Sequence, residues 1–181
     1  MSRKYKFYNG EGIYFVSFSV VYWIDLFTRA DYNQCIVDNL NFYASKGMQI
    51  FGWCIMPSHI HLIFRDENGQ PDQLLGRFKS YTSKTLQQTI IEHPGESRKE
   101  WLLWMMKRAA SSTSNVSNRM LWQHHNKPIE LFSAPVFEQK MHYLHHNPVV
   151  AGYVTEAHHW KYSSAIDYCG SKGFVKLIDI L

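Results

Sequence analysis

Cysteine is scarce. Cys35, Cys54 and Cys169 lie far apart, and no Cys-x-x-Cys pair exists. Neither a zinc knuckle nor a disulfide framework is indicated, and a reduced, cytoplasmic setting is expected. Long apolar runs are also missing. The longest, residues 13–27, is interrupted by Ser17, Ser19 and Asp25, and it falls short of the roughly 20 residues a spanning helix needs. It has no cationic leader with a cleavage site before it, so no membrane partner is expected. Charge is sparse too, at 19% of residues with a net of +4. That balance hints at an acidic partner without naming one.

The distribution of charge says more than its sum. Residues 73–140 carry ten Lys/Arg against five Asp/Glu, while residues 1–72 balance at −1 and residues 141–181 at 0. All of the cationic excess is therefore central. What is abundant is apolar and aromatic matter, 45% and 15% of the 181 residues. That is enough to build one real core and to exclude a disordered chain.

Periodicity predicts the elements. Residues 13–23 read as a strand buried on both faces. Asp31 is expected to cap a helix running to about Ser45. Residues 48–55 and 59–64 read as strands joined at Pro57-Ser58, making a hairpin. Asp72 opens a helix to about Ile91 whose stripe is Leu75, Phe78, Thr82, Leu86 and Ile90. Residues 96–110 read as a helix with Trp101, Leu102 and Met105 inward. The Ser/Asn-rich segment 111–118 reads as a flexible linker, and residues 120–132 as extended chain. Residues 134–146 read as a helix ended by Asn147-Pro148. The tail from Gly173 offers a last edge strand. The sum is a single domain over residues 1–181 of the α+β class, an antiparallel sheet covered by helices.

Three constellations carry chemistry. His59 and His61 stand on one face of a strand, because side chains two apart point the same way, and they are close enough to share a metal. Two surface histidines on a half-exposed strand would look the same. Tyr143 and Asn147 are helix neighbours four apart, roughly 5–6 Å at Cβ. A phenol can serve as a nucleophile that forms a covalent intermediate, and an amide oxygen can complete a metal site begun by two imidazoles. A core tyrosine and a helix-ending asparagine are the plainer reading. Arg77, Lys79, Lys84, Lys107, Arg108 and Arg119, interleaved with Trp101, Trp104 and Trp122, suit a phosphate backbone and unpaired bases. They equally suit a solvated helix face over core tryptophans. Trp122-Gln123-His124-His125-Asn126 could line a nucleic-acid groove or be a His-rich loop without a ligand.

Taken together these residues resemble one family. Met56-Pro57-Ser58-His59-Ile60-His61-Leu62-Ile63-Phe64 resembles the His-hydrophobic-His (HUH) strand of the IS200/IS605-type tyrosine transposases. Residues 139–152, with Tyr143-Leu144-His145-His146-Asn147-Pro148 at their centre, resemble the tyrosine helix of the subgroup associated with repetitive extragenic palindromes. Trp160-Lys161-Tyr162-Ser163-Ser164 resembles the Trp-x-Tyr-Ser-Ser segment that follows it there, and Trp122-Gln123 matches a position ahead of the helix. Segment 111–118 has no counterpart.

The resemblance implies a ferredoxin-like fold and a single-stranded or hairpin DNA substrate. It implies Mg²⁺ or Mn²⁺ held by His59, His61 and Asn147, and no small-molecule cofactor. Tyr143 would attack a phosphodiester, leaving a 5′-phosphotyrosine and a free 3′-hydroxyl. The chain would work as a monomer or homodimer. A non-catalytic hairpin DNA- or RNA-binding regulator derived from such an enzyme is the alternative, and a zinc hydrolase is a third reading that the cationic middle disfavours.

Overall fold

The computed structural model describes residues 6–111, 118–124 and 126–178. Along the chain these form β1 (Tyr14–Ser19), α1 (Ala30–Ala44), β2 (Met48–Met56), β3 (His59–Asp66), α2 (Pro71–Glu92), α3 (Lys99–Ser111), β4 (Ile129–Glu130), α4 (Ala134–Val150) and a short α5 (Ala165–Tyr168). The sheet order is β2-β3-β1-β4, antiparallel throughout. This is the α+β, ferredoxin-like arrangement expected from the sequence, with β4 only two residues long.

Side chains alternate across the sheet, so each strand feeds two cores. Tyr14, Val16 and Phe18 of β1 join Ile60, Leu62 and Phe64 of β3 in the large core. The apolar stripes of α1 (Ile36, Leu40, Tyr43) and α2 (Leu75, Phe78, Leu86, Ile90) cover that face. Burying each such side chain contributes about 1.5–3 kcal/mol. The other face carries Phe15 and Ile63 with Phe51, Cys54 and Met56, and Met141 and Leu144 of α4 pack there. A bulge between Ile50 and Gly52 lets both Ile50 and Trp53 enter the large core. Gly52 lies directly under α4: a Cβ there would come within 2.7 Å of Met141 Sδ.

Several expectations are corrected. Arg29, not Asp31, is the N-cap of α1, and Asp31 sits in the first turn, where its charge favours the helix dipole. In α3 the inward positions are Leu102, Met106, Ala109 and Ala110, while Trp101 is exposed. The helix turns so that a Trp/Arg face meets solvent, with the Arg108 guanidinium 5.5 Å over the Trp104 ring.

Pro148 does not end α4. It lies in the last turn, where its missing N–H removes only one helical bond. The helix stops at Gly152 (φ +76°): the Gly152 N–H donates to Val149 O and the Tyr153 N–H to Pro148 O, both at 2.9 Å, closing a Schellman cap. The tail after Gly173 forms no strand in its described part, although the Ile178 N–H bonds Ile50 O on β2. Residues 112–117 of the expected linker lie outside the described residues, as do 179–181 of the tail.

Candidate functional site

β3 sets His59, His61 and Ile63 on the α4 face, opposite Ser19, Ser17 and Phe15 of β1. Along the two strands the residues of this face pass from apolar Phe15 and Ile63 to serines and histidines, of which His61 and Ser19 are themselves buried. The His59 and His61 ring centroids are 4.8 Å apart. His61 stacks on Phe15 at 5.5 Å, and the Tyr143 ring meets His61 edge-on at 5.3 Å. Strand and helix thus bring His59, His61 and Tyr143 into one cluster. Asn147 follows one turn after Tyr143 on α4, half-buried.

His61 is 2% exposed, and neither of its ring nitrogens has a hydrogen-bond partner. Burial, together with the neighbouring His59 and Lys140 charges, lowers its pKa to about 3, so the ring is neutral. Burial lowers His59 as well, and its Nδ1 lies 3.2 Å from Ser58 Oγ. A neutral imidazole with unspent nitrogens is what a cation requires of a ligand. Among the described residues no group of three or more His, Cys, Asp or Glu side chains could hold a metal. A cation on this pair would therefore complete its shell with amide, phosphate or water oxygens. The donor set fits a divalent ion on those terms.

Two neighbours were not singled out from the sequence. Lys140 holds its ammonium 5.7 Å over the Tyr143 ring and 5.5 Å over Phe15. Its signal was the three-residue spacing to Tyr143, which puts both on one helix face. Trp23 meets His59 edge-on at 5.4 Å. Tyr143 itself is 48% exposed and open to a large substrate.

Behind the cluster, α4 is tied to β2. His145 is buried, with a pKa lowered to about 4 chiefly by that burial. Its Nε2 lies 2.9 Å from Ser164 Oγ, which accepts the Trp53 N–H at 3.0 Å. Trp160 Nε1 donates to Ile55 O, and the Ile55 N–H donates to Tyr162 O. The Trp-x-Tyr-Ser-Ser segment thus serves as an added edge to β2.

The eight candidate DNA contacts divide. Lys79, Lys84, Arg119, Trp122 and Gln123 meet at one cleft of about 560 Å³ between α2 and the segment before β4. Arg77 is exposed elsewhere on α2, and Lys107 and Arg108 are exposed on α3. Within the cleft, Lys84 and Arg119 are cations with no ion pair among the described residues. Lys79 is turned inward, donating to Gln123 O and Asn126 Oδ1, and desolvation lowers it to about 7. Trp122 is corrected from a base platform to a core residue. It is 5% exposed, stacks on Phe27, and donates through Nε1 to Thr82 Oγ1. Gln123 braces the end of β1, its N–H bonding Ser19 O and its Nε2 bonding Val20 O.

The sheet and the histidine pair it carries lie in a stretch of chain that sequence comparison assigns to a family. The family model described as "Transposase IS200 like" matches residues 18–125, and the chain belongs to that family. The match spans His59 and His61 and stops short of Tyr143 and Asn147. Among solved structures, the REP-associated tyrosine transposase bound to a REP hairpin is similar, with a TM-score of 0.56 and 16% identity over 100% of this chain and 94% of that one. No curated protein matches. No helix among the described residues is long and apolar enough to cross a membrane.

Proposed function

We propose that the chain is a metal-dependent transposase or nickase that cleaves and rejoins single-stranded DNA beside hairpins through Tyr143. The observation that carries this is buried His61, both ring nitrogens unpartnered, in ring contact with an exposed tyrosine. The family supports the DNA-processing class. The hairpin held by the similar transposase supports the substrate shape.

The Tyr143 Oη attacks phosphorus, a P–O(Tyr) bond forms, and the P–O3′ bond breaks. The phenol gives up its proton to solvent as it attacks, and the leaving 3′ oxygen takes one back, giving a free 3′-hydroxyl and a 5′-phosphotyrosine. The Lys140 ammonium over the ring favours the incoming phosphate. Because a phenolate is a fair leaving group, the link is reversible and suits strand rejoining. His59, His61 and Asn147 would hold Mg²⁺ or Mn²⁺, which when bound would supply Lewis-acid polarisation of the phosphate. Lys84, Arg119, Lys107 and Arg108 supply phosphate contacts at a distance from the bond that breaks.

The test is incubation with hairpin DNA bearing single-stranded arms, with Mn²⁺. A detergent-stable protein–DNA adduct is expected. It should disappear in Tyr143→Phe while hairpin binding stays within about threefold, as a lost hydroxyl outside the phosphate grip permits. Binding without any adduct over a panel of palindromic hairpins would favour the non-catalytic regulator instead.

A further inference from the structure

Two large aromatic residues at the rim of the site sit in a conformation such residues rarely adopt. Tyr22 (φ 55°, ψ 19°) and Trp23 (φ 56°) are consecutive and both in the left-handed region. That region crowds Cβ against the backbone and is ordinarily left to Gly, Asn or Asp. Nothing local makes the turn easy, so the surroundings must impose it.

They do. Before the pair, the Val20 N–H donates to Ser58 O and the Val21 N–H to Leu121 O. After it, the Ile24 N–H returns to Val21 O and the Phe27 N–H reaches Pro57 O. Val20, Val21 and Ile24 are buried on either side. The loop is clamped at both ends to the β2–β3 turn that leads directly into His59. Its tip does not collapse onto the core. Trp23 stays 59% exposed and Tyr22 48% exposed. A strained turn that keeps two aromatic rings in solvent beside a histidine pair is arranged for a ligand with a flat face.

The order of rings identifies that ligand. Trp23, His59, His61 and Tyr143 follow one another in ring contact, with successive centroids 5.4, 4.8 and 5.3 Å apart. The nucleophile stands at one end and Trp23 at the other. Displacement at phosphorus is in line, so the leaving O3′ departs on the side opposite the attacking Tyr143 oxygen. A phosphate over the histidines would therefore direct its 3′-oxygen nucleotide toward the Trp23 end.

We propose that Trp23, held out by the strained Tyr22-Trp23 turn, is the stacking platform for the unpaired base immediately 5′ of the scissile phosphate. This rests on the cleavage reading above and adds a binding subsite to it. Trp23 is a substrate-binding residue that holds the leaving nucleotide in place. Held there, the 3′-hydroxyl stays close to the phosphotyrosine, ready for rejoining.

The test uses single-stranded oligonucleotides that carry the hairpin and one 5-iodouracil, walked base by base along the arm. They are photocrosslinked to Tyr143→Phe protein so that the strand stays whole, and crosslinked peptides are mapped. The expected result is a crosslink at Trp23 from the base that lies 5′ of the bond the wild type cleaves. Trp23→Ala should lose the crosslink and weaken arm binding about tenfold, and Trp23→Phe should restore most of it. If Trp23→Ala binds and crosslinks as its parent does, or the crosslink maps away from Trp23, the platform is overturned. A Tyr143 adduct without a Trp23 crosslink sinks the platform and leaves the cleavage reading standing. A Trp23 crosslink from one fixed base without any Tyr143 adduct from the wild type would keep Trp23 as a base-stacking residue but overturn its place beside a scissile phosphate, together with the cleavage reading. Failure of both overturns both.

Discussion

His61 is costly to the fold. A buried polar ring with neither nitrogen partnered destabilises by about 1–3 kcal/mol relative to a satisfied or apolar one. Retaining it makes physical sense where a ligand supplies the missing partner. In the metal-free protein, His61→Leu should therefore raise unfolding stability by about 1 kcal/mol. Mn²⁺ should stabilise the wild type by mass action and leave His61→Leu unchanged. Equal stabilisation of both proteins in denaturant titrations would remove His61 from the metal site. The pairing of His59 with His61 was legible because it rests on one strand's period, and the one-turn spacing of Tyr143 and Asn147 because it rests on one helix's. Lys140 over Tyr143 was half-legible: the spacing was visible, but not which face of α4 meets the sheet. Trp23 was hidden, because its position depends on two left-handed residues that no propensity favours.

α4 acts as one piece. It carries Tyr143, Lys140 and Asn147 on one face, and Met141, Leu144 and His145 against the sheet. The reading of Pro148 as a stop failed because a proline in the last turn removes a single donor while Gly152 supplies the actual cap. The helix therefore continues past Asn147, and Asn147 projects from regular helix rather than from a fraying end. Ser164 holds this helix to β2. Ser164→Ala would leave the buried Trp53 N–H without its side-chain acceptor and His145 without its partner, at about 2 kcal/mol of stability. We expect adduct formation to fall further than hairpin affinity, since the change loosens the tyrosine helix and leaves the cationic residues of α2, α3 and the cleft untouched. Equal losses in both would mean that the segment supports the fold generally.

Across the whole molecule the sheet separates two tasks. One face is closed by α1 and α2 over the large core, and the other stays partly open at Tyr143, beside the His59–His61 pair. Much of this was visible as the succession of strands and helices along the chain and the apolar stripes of the helices. The bulge at Ile50/Gly52 and the inward turn of Trp122 were not, since both depend on how distant elements fit. A buried link between α1 and the approach to α3 holds the closed face together. Burial alone would raise the Glu96 pKa, but the Arg98 N–H and the Arg29 and Tyr32 side-chain bonds, with the Arg29 charge, outweigh it and hold the group at about 2.

Because the folded value lies below the ordinary 4.5, this contribution is complete above the unfolded value and is lost as pH falls through about 2. It amounts to about 3 kcal/mol. Glu96→Gln should be less stable by about that much at neutral pH and should show a shallower loss in acid, read by denaturant unfolding across pH. The same slope in both proteins would place the acid sensitivity elsewhere.

The central claim is that the open face carries out DNA strand transfer through a tyrosine. It is tested most directly by mass spectrometry of the peptide that stays attached to cleaved hairpin DNA. The expected result is a 5′-phosphate linked to Tyr143, with a free 3′-hydroxyl on the released fragment. Attachment at another residue, or cleavage with no covalent intermediate at all, would contradict it.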